Sequence, residues 1–336
     1  MTSTWRASVF VCALSLLGCL DQPVSIAPLG GGAPTSSLAA LGVFEGDLRE
    51  QRPAVGVVPY DVVAPLWSDG ALKRRFLWLP PGQTVHTTDD RWELPVGAVV
   101  VKTFSFPIDA RDPSLGERFV ETRFLVRTSS GFEASTYVWN DAQTDAIASG
   151  GELDVPIRWI DADGVEHDQT FHVPGTSRCH DCHDQRALGM RTGQLDLPGQ
   201  LDRFTSLGML DARPVASAAF SDPFGTAAIG DRARSYLDTN CGICHAPGQN
   251  AASTNLFWDL EHTIDGSLPL CRPTTAVDGR NRVIVPGDAD ASEMLARMRS
   301  PDPFVHMPRG PSRVADARGI TMLGDWIDAM DGAACP

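Results

Sequence analysis

The chain has 336 residues, of which 43% are hydrophobic and 21% charged, with a formal net charge of −14. That length and balance suit a globular protein of about two modest domains. An acidic chain without a basic run excludes nucleic acid as a partner class, because nothing on it matches a phosphate backbone.

In chain order, the N-terminus reads as an export signal. "MTSTWR" carries one cation, Arg6, and "ASVFVCALSLL" runs apolar to Leu17, too short for a membrane span. "LLGC" follows and resembles the lipobox of bacterial lipoproteins. The resemblance implies cleavage of residues 1–18, a lipid on Cys19 and a membrane anchor outside the cytoplasm. An ordinary secretory signal beside a chance cysteine is the alternative. Residues 19–39 are rich in Pro, Gly and Ser and read as a flexible linker.

Residues 40–175 carry strand-like, β-branched and aromatic stretches. "KRRFLWLP" and "GAVVVKTFSFP" are two of these. "RFVETRFLVRTSSGFEASTYVWN" predicts two strands around "TSSG", and "IRWIDADGVEHDQTFHV" a hairpin turning at Asp163-Gly164. The expectation is a β-rich, sandwich-like domain. Asp69, Asp141 and Asp145 are either a functional carboxylate set or turn and cap residues, the second being the commoner use. Trp67 and Trp139 read as core residues.

After Pro174 the pattern shifts to helical spacing. "GDRARSYLDTNC" predicts a helix. "DASEMLARM" pairs Asp290 with Glu293 as in a capping box. "ARGITMLGDWIDAM" puts Ile320, Leu323, Ile327 and Met330 on one face. The fold class expected is therefore α+β, with a mainly α region after the β-rich domain. That region divides into a first segment, 176–228, and a second, 229–336.

Each segment contains one Cys-x-x-Cys-His unit: Cys179, Cys182 and His183 in "SRCHDCHDQ", and Cys241, Cys244 and His245 in "TNCGICHAP". Two thiols three apart on one helical turn can add to the two vinyl groups of a haem. The His that follows is then placed as an axial ligand to iron. A zinc site would use four thiolates and has no need of the His after the second Cys. A redox dithiol would sit in a thioredoxin-like βαβ context, which the pattern does not offer. The units therefore predict two covalent c-type haems. The remaining exported cysteines, Cys271 and Cys335, pair as an expected disulfide.

From Asp231 onward the chain resembles a class I cytochrome c: a helix leading into "NCGICH", Met307 in "HMPRG", and a terminal helix with Trp326. The resemblance implies thioethers at Cys241 and Cys244, His245 as proximal ligand and Met307 as distal ligand, with His306 competing. Arg272, Arg280 and Arg282 are candidates for propionate pairing or for plain surface. For the first haem, His183 is the expected proximal ligand. Met209 is the preferred distal candidate beside Met190, His167 and His172, and open coordination is the other possibility. "PLWSDGALKRRFLWLPPG", "LPVGAVVVKTFSF", "ETRFLVR" and "YVWNDAQTDA" resemble the N-terminal region of a bacterial diheme c-type cytochrome family. That implies one-electron transfer between periplasmic protein partners. The rival reading is a diheme peroxidase-like or oxidase-like enzyme with an open axial site on the first haem. A third is a binding module whose β region docks a partner.

Overall fold

The computed structural model describes residues 36–88, 90–183, 186–262, 271–310 and 312–331. Its strands are β1 (Val57–Tyr60), β2 (Leu72–Trp78), β3 (His86–Thr88), β4 (Arg91–Glu93), β5 (Val99–Pro107), β6 (Glu117–Arg127), β7 (Phe132–Trp139), β8 (Ala146–Ser149), β9 (Leu153–Ile160) and β10 (Glu166–Val173). The helices α1 (Thr176–His183), α2 (Thr192–Leu195), α3 (Gln200–Ser206) and α4 (Ile229–Leu237) follow. A short hairpin, β11 (Pro273–Val277) and β12 (Arg280–Arg282), precedes α5 (Glu293–Arg299) and α6 (Ala317–Asp328).

Six strands form one antiparallel sheet in the order β1-β2-β5-β6-β7-β8, and β9 pairs with β10 as a separate hairpin. Side chains alternate across a strand, so each strand feeds two cores. On one face Val57, Phe76, Val99, Val101, Phe124 and Val126 pack under Leu38, Leu41, Val43 and Phe44 of the N-terminal segment. Leu38, inside the expected linker, is thus already core, and its N–H donates to Ala146 O at 2.8 Å. On the other face Val58, Leu77, Val100 and Leu125 meet Met190, Leu195, Leu201, Phe204 and Met209. Farther along that face Phe104, Phe106 and Val120 meet Ile157, Phe171 and Val173 of the β9–β10 hairpin. The chain just after α1 therefore shares a core with the sheet.

A third apolar cluster joins α4, α5 and α6 through Tyr236, Leu237, Leu295, Leu323, Trp326 and Ile327. The expectation of a mainly α C-terminal region is corrected here. The molecule is β-rich, about 22% helix and 29% strand, and the C-terminal part has few helices. The α-helices from α1 onward run to only 4–12 residues. Pro247-Gly248, Pro286-Gly287 and the Pro301 to Pro308 stretch interrupt the helical spacing, and proline neither donates to a helix nor tolerates its interior. The capping box at Asp290 does not form either. Ser292 is the residue before α5, while Glu293 pairs with Arg297 one turn on, at 2.5 Å.

Candidate functional site

Helix α1 places Cys179 and His183 four residues apart, hence on one face. Both line a cavity of about 400 Å³ that also reaches Cys244 of the second unit. The Cys182 side chain lies outside the described part. His183 Nδ1 is 3.2 Å from Arg186 O, so it donates there and leaves Nε2 with its lone pair. Burial, with Lys102 nearby, holds this imidazole down at about 3, which keeps it neutral. A neutral imidazole with Nδ1–H given to a carbonyl is the usual state of a metal-bound His.

The second unit is built differently. Helix α4 runs on into one π-helical turn, Asp238–Gly242, that carries Cys241. The N–H groups of Cys244 and His245 then donate back to Cys241 O at 3.1 and 2.8 Å. Cys241 packs against the α4–α6 cluster, and burial pushes its thiol up to about 12. His245 is also held below its ordinary value by burial. The Thr254 hydroxyl gives its hydrogen to Ala251 O at 2.7 Å, so its oxygen accepts from His245 Nδ1 at 3.4 Å. Neither imidazole is spent on a carboxylate.

The turn before Cys241 is pinned residue by residue. Asp238 accepts from Arg191 at 2.9 Å, Thr239 Oγ1 accepts from Gln194 Nε2 at 2.6 Å, and Asn240 Oδ1 accepts from the Trp67 N–H at 2.7 Å. Ile243 O accepts from Arg186 Nη2 at 2.5 Å. Arg186 thereby touches both units, since its own carbonyl holds His183. Arg191 also binds Asp90 and lies over Phe220. Burial raises the Asp238 carboxyl, opposed by Arg191, so the pair is mutually required.

The floor of the His183 cavity is the sheet. Arg75, Lys102 and Arg123 are direct cross-strand partners on β2, β5 and β6, and Lys73 is two residues from Arg75 on the same face. They interrupt the apolar row between Leu77, Val100 and Leu125 on one side and Phe104 on the other. Like charges directly opposite one another are unfavourable in a sheet. Arg75 has Asp61 at 2.5 Å and Arg123 has Glu121. Lys73 donates to Leu66 O. Burial, together with Arg75, Lys102 and Arg123, lowers Lys73 well below its ordinary value. A second cavity of about 470 Å³ adjoins the first and shares Leu66, Lys73, Lys102, Ala187, Leu188 and Ile243 with it. Arg178, Arg309 and Arg313 add further cations to the first cavity, against Asp69 and Glu152.

A haem fits this donor set on three observations. The cavity sits against a Cys-x-x-Cys-His helix, its walls include Val100, Phe104, Phe124, Leu125 and Phe171, and its excess of cations matches two propionates. Among the described residues no group of three or more His, Cys, Asp or Glu is placed to hold a metal ion.

The other expected residues are placed as follows. Met209, 6% exposed, and Met190, 3% exposed, belong to the core under the sheet and do not line the His183 cavity. His167 stacks on Trp159 and binds Asp161, while His172 lines the cavity and binds Asp154. Met307 is half-buried, with its N–H on Arg297 O, and neither it nor His245 lines either of these two cavities. Arg272, Arg280 and Arg282 donate to the carbonyls of Asn255, Asp290 and Cys271. Cys271 is disulfide-bonded. Cys335 and Cys19 lie outside the described residues. Asp145 caps the N-terminal segment through Ala39 N, and Asp141 is exposed. Asp69 is buried and accepts from Ser312 Oγ, Arg313 N and Val314 N, so it clamps the loop after Met307 to the β part.

Sequence reading missed the cationic row of the sheet, of which Lys73, Lys102 and Arg123 line the His183 cavity and Arg75 the cavity beside it. Its signal was present: cations at inward positions of "ALKRRFLW", "VVVKTFSF" and "ETRFLVR". No protein-family model, curated protein or solved structure matches the chain.

Proposed function

We propose that the chain is an exported electron-transfer protein that carries one covalent c-type haem on each Cys-x-x-Cys-His unit. The observation that carries this reading is the convergence of the two units. Cys179 and His183 of the first unit and Cys244 of the second line one cavity over a cationic sheet floor, and Arg186 bonds to both units. Haem, when bound, supplies one-electron exchange between ferric and ferrous iron.

The chain's own residues do the rest. Cys179 with Cys182, and Cys241 with Cys244, hold the two groups. His183 is oriented by Arg186 O, and His245 by Thr254. Lys73, Lys102 and Arg123 offset propionate charge on the first haem, while Val100, Phe104, Leu125 and Phe171 exclude water. Arg186 and Arg191 keep the two units at a fixed separation. Met307 is the proposed second ligand for the haem of His245. Cys19, through its lipid, anchors the protein outside the cytoplasm, where protein redox partners donate and accept the electrons. The disulfide of Cys271 is proposed to reach Cys335.

A second reading, a diheme oxidoreductase with an open site on the first haem, draws on the adjoining cavity of about 470 Å³. A potentiometric titration followed by visible absorption separates the two. Electron transfer predicts two one-electron waves, low-spin spectra and no turnover of peroxide. A high-spin haem that turns over peroxide selects the enzyme, and the absence of any wave contradicts both.

A further inference from the structure

We infer that the cavity of about 470 Å³ beside the His183 cavity binds a small organic dicarboxylate. Lys73 and Lys102 line both cavities, but Arg75, Arg127, Arg186 and Arg191 line this one alone of the two. A haem seated over Cys179 and His183 therefore does not account for them. The carboxylates of the wall do not balance this charge. Asp238 is taken by Arg191, Asp259 accepts from His262 Nδ1 at 2.7 Å, and Glu93 is exposed. Arg75 meets Asp61, whose side chain is 66% exposed. Arg127 and Lys73 are half-buried and pair with no carboxylate among the described residues. Arg127 donates to Gly131 O at 2.9 Å and lies over the Phe132 ring, and Lys73 donates to Leu66 O. Cations taken out of water without a counter-charge are costly, and an anion in the cavity offsets that cost.

Register gives the ligand two charged ends. Arg75 and Lys102 are cross-strand partners, and Lys102 in turn faces Arg123. Arg127 follows Arg123 by four residues on the same face of β6, so it stands roughly 13 Å along the sheet from that row. Lys73 lies beyond the row on the side away from Arg127. The same cavity wall carries the apolar side chains of Trp92, Leu94, Phe132 and Met190. A short apolar body with a carboxylate at each end meets all three features. A guanidinium such as Arg127 takes a carboxylate through paired N–H donors, and a lysine takes it as a point charge. A single carboxylate or an inorganic anion reaches only one of the two cationic ends and leaves the apolar wall uncovered.

The test is isothermal titration calorimetry of the haem-loaded full-length protein with succinate, adipate and suberate. Butyrate and adipamide are the one-charge and uncharged comparisons. At least one dicarboxylate should bind at one per chain, at least about tenfold more tightly than butyrate and more weakly as salt is raised, while adipamide should not bind. Arg127→Gln should weaken that binding at least about tenfold, and Arg127→Lys should keep most of it. Lys73→Gln should weaken it without touching the β6–β7 turn, whereas Arg158→Gln, on the exposed β9–β10 hairpin, should change nothing. Three results would each overturn the inference: no dicarboxylate bound by the haem-loaded protein, butyrate or adipamide bound equally well, or an affinity indifferent to both Arg127→Gln and Lys73→Gln. Wild-type protein without haem overturns the electron-transfer reading instead, and the same titration on that protein still decides this one.

Discussion

Replacing Lys73 by Met takes a cation out of the second position of β2, two residues from Arg75 and on the same face as the row that Arg75 forms with Lys102 and Arg123. Lys73 is half-buried, and its ammonium is disfavoured by burial and by those three cations. Its folded value lies below the unfolded one. The unfolded chain therefore binds the extra proton, and stability rises with pH by about 1.4 kcal/mol per unit between the two values. In the haem-free chain Lys73→Met removes this penalty. The hydrogen bond to Leu66 O goes with it, worth about 1 kcal/mol. Trading a buried charge for an apolar side chain is commonly stabilising by about 1–4 kcal/mol, so a net gain of about 1–3 kcal/mol is expected at pH 7. In the haem-loaded protein the sign reverses. A propionate makes the ammonium the favoured form, and its loss costs about 1.5–3 kcal/mol. Guanidinium unfolding by far-UV circular dichroism, on both forms at pH 7 and 9.5, measures the four differences. The gain in the haem-free chain should shrink at the higher pH. The same sign in both forms would refute the argument that this floor is built for an anion.

Arg191→Met should cost about 3–5 kcal/mol, because it strands Asp90 and Asp238, which are both buried, and Asp238→Asn in the same chain should restore part of that in a urea titration. Cys241, with its thiol pushed up to about 12, should resist iodoacetamide at pH 8 in the folded haem-free chain and react only on unfolding, as read by peptide mass spectrometry. Asp69→Asn removes the charge from the clamp on Ser312, Arg313 and Val314 but keeps an acceptor, so it should cost about 1–2 kcal/mol, whereas Asp69→Ala should cost more; equal losses would show that the clamp is packing alone.

The sheet was legible because its strands are long and its turns are marked. "TSSG" closes β6 onto β7, with Thr128 N donating to Gly131 O, and Gly164 takes the positive φ that the β9–β10 turn requires. Helices α4 and α6 were legible from spacing too, with Ile320, Leu323 and Ile327 buried as the pattern implied. What spacing could not give was the extent of helix. Windows of 7–12 residues read as helical in isolation, and the intervening Pro- and Gly-rich loops make the region something other than mainly α. The two Cys-x-x-Cys-His units were plain in the sequence, yet their proximity was not, since it depends on Arg186 and Arg191 reaching residues 47 to 57 positions away. The cationic floor was hidden for a similar reason. Lys73, Lys102 and Arg123 look like ordinary alternation until register shows that both faces of the sheet are covered.

The central claim is covalent haem on both units. Full-length exported protein should give two haems per chain by pyridine haemochrome assay, with an intact mass higher than the polypeptide by two haem groups. Changing Cys179 and Cys182 together to Ala should leave one. A protein of bare polypeptide mass with no haemochrome signal would contradict the account.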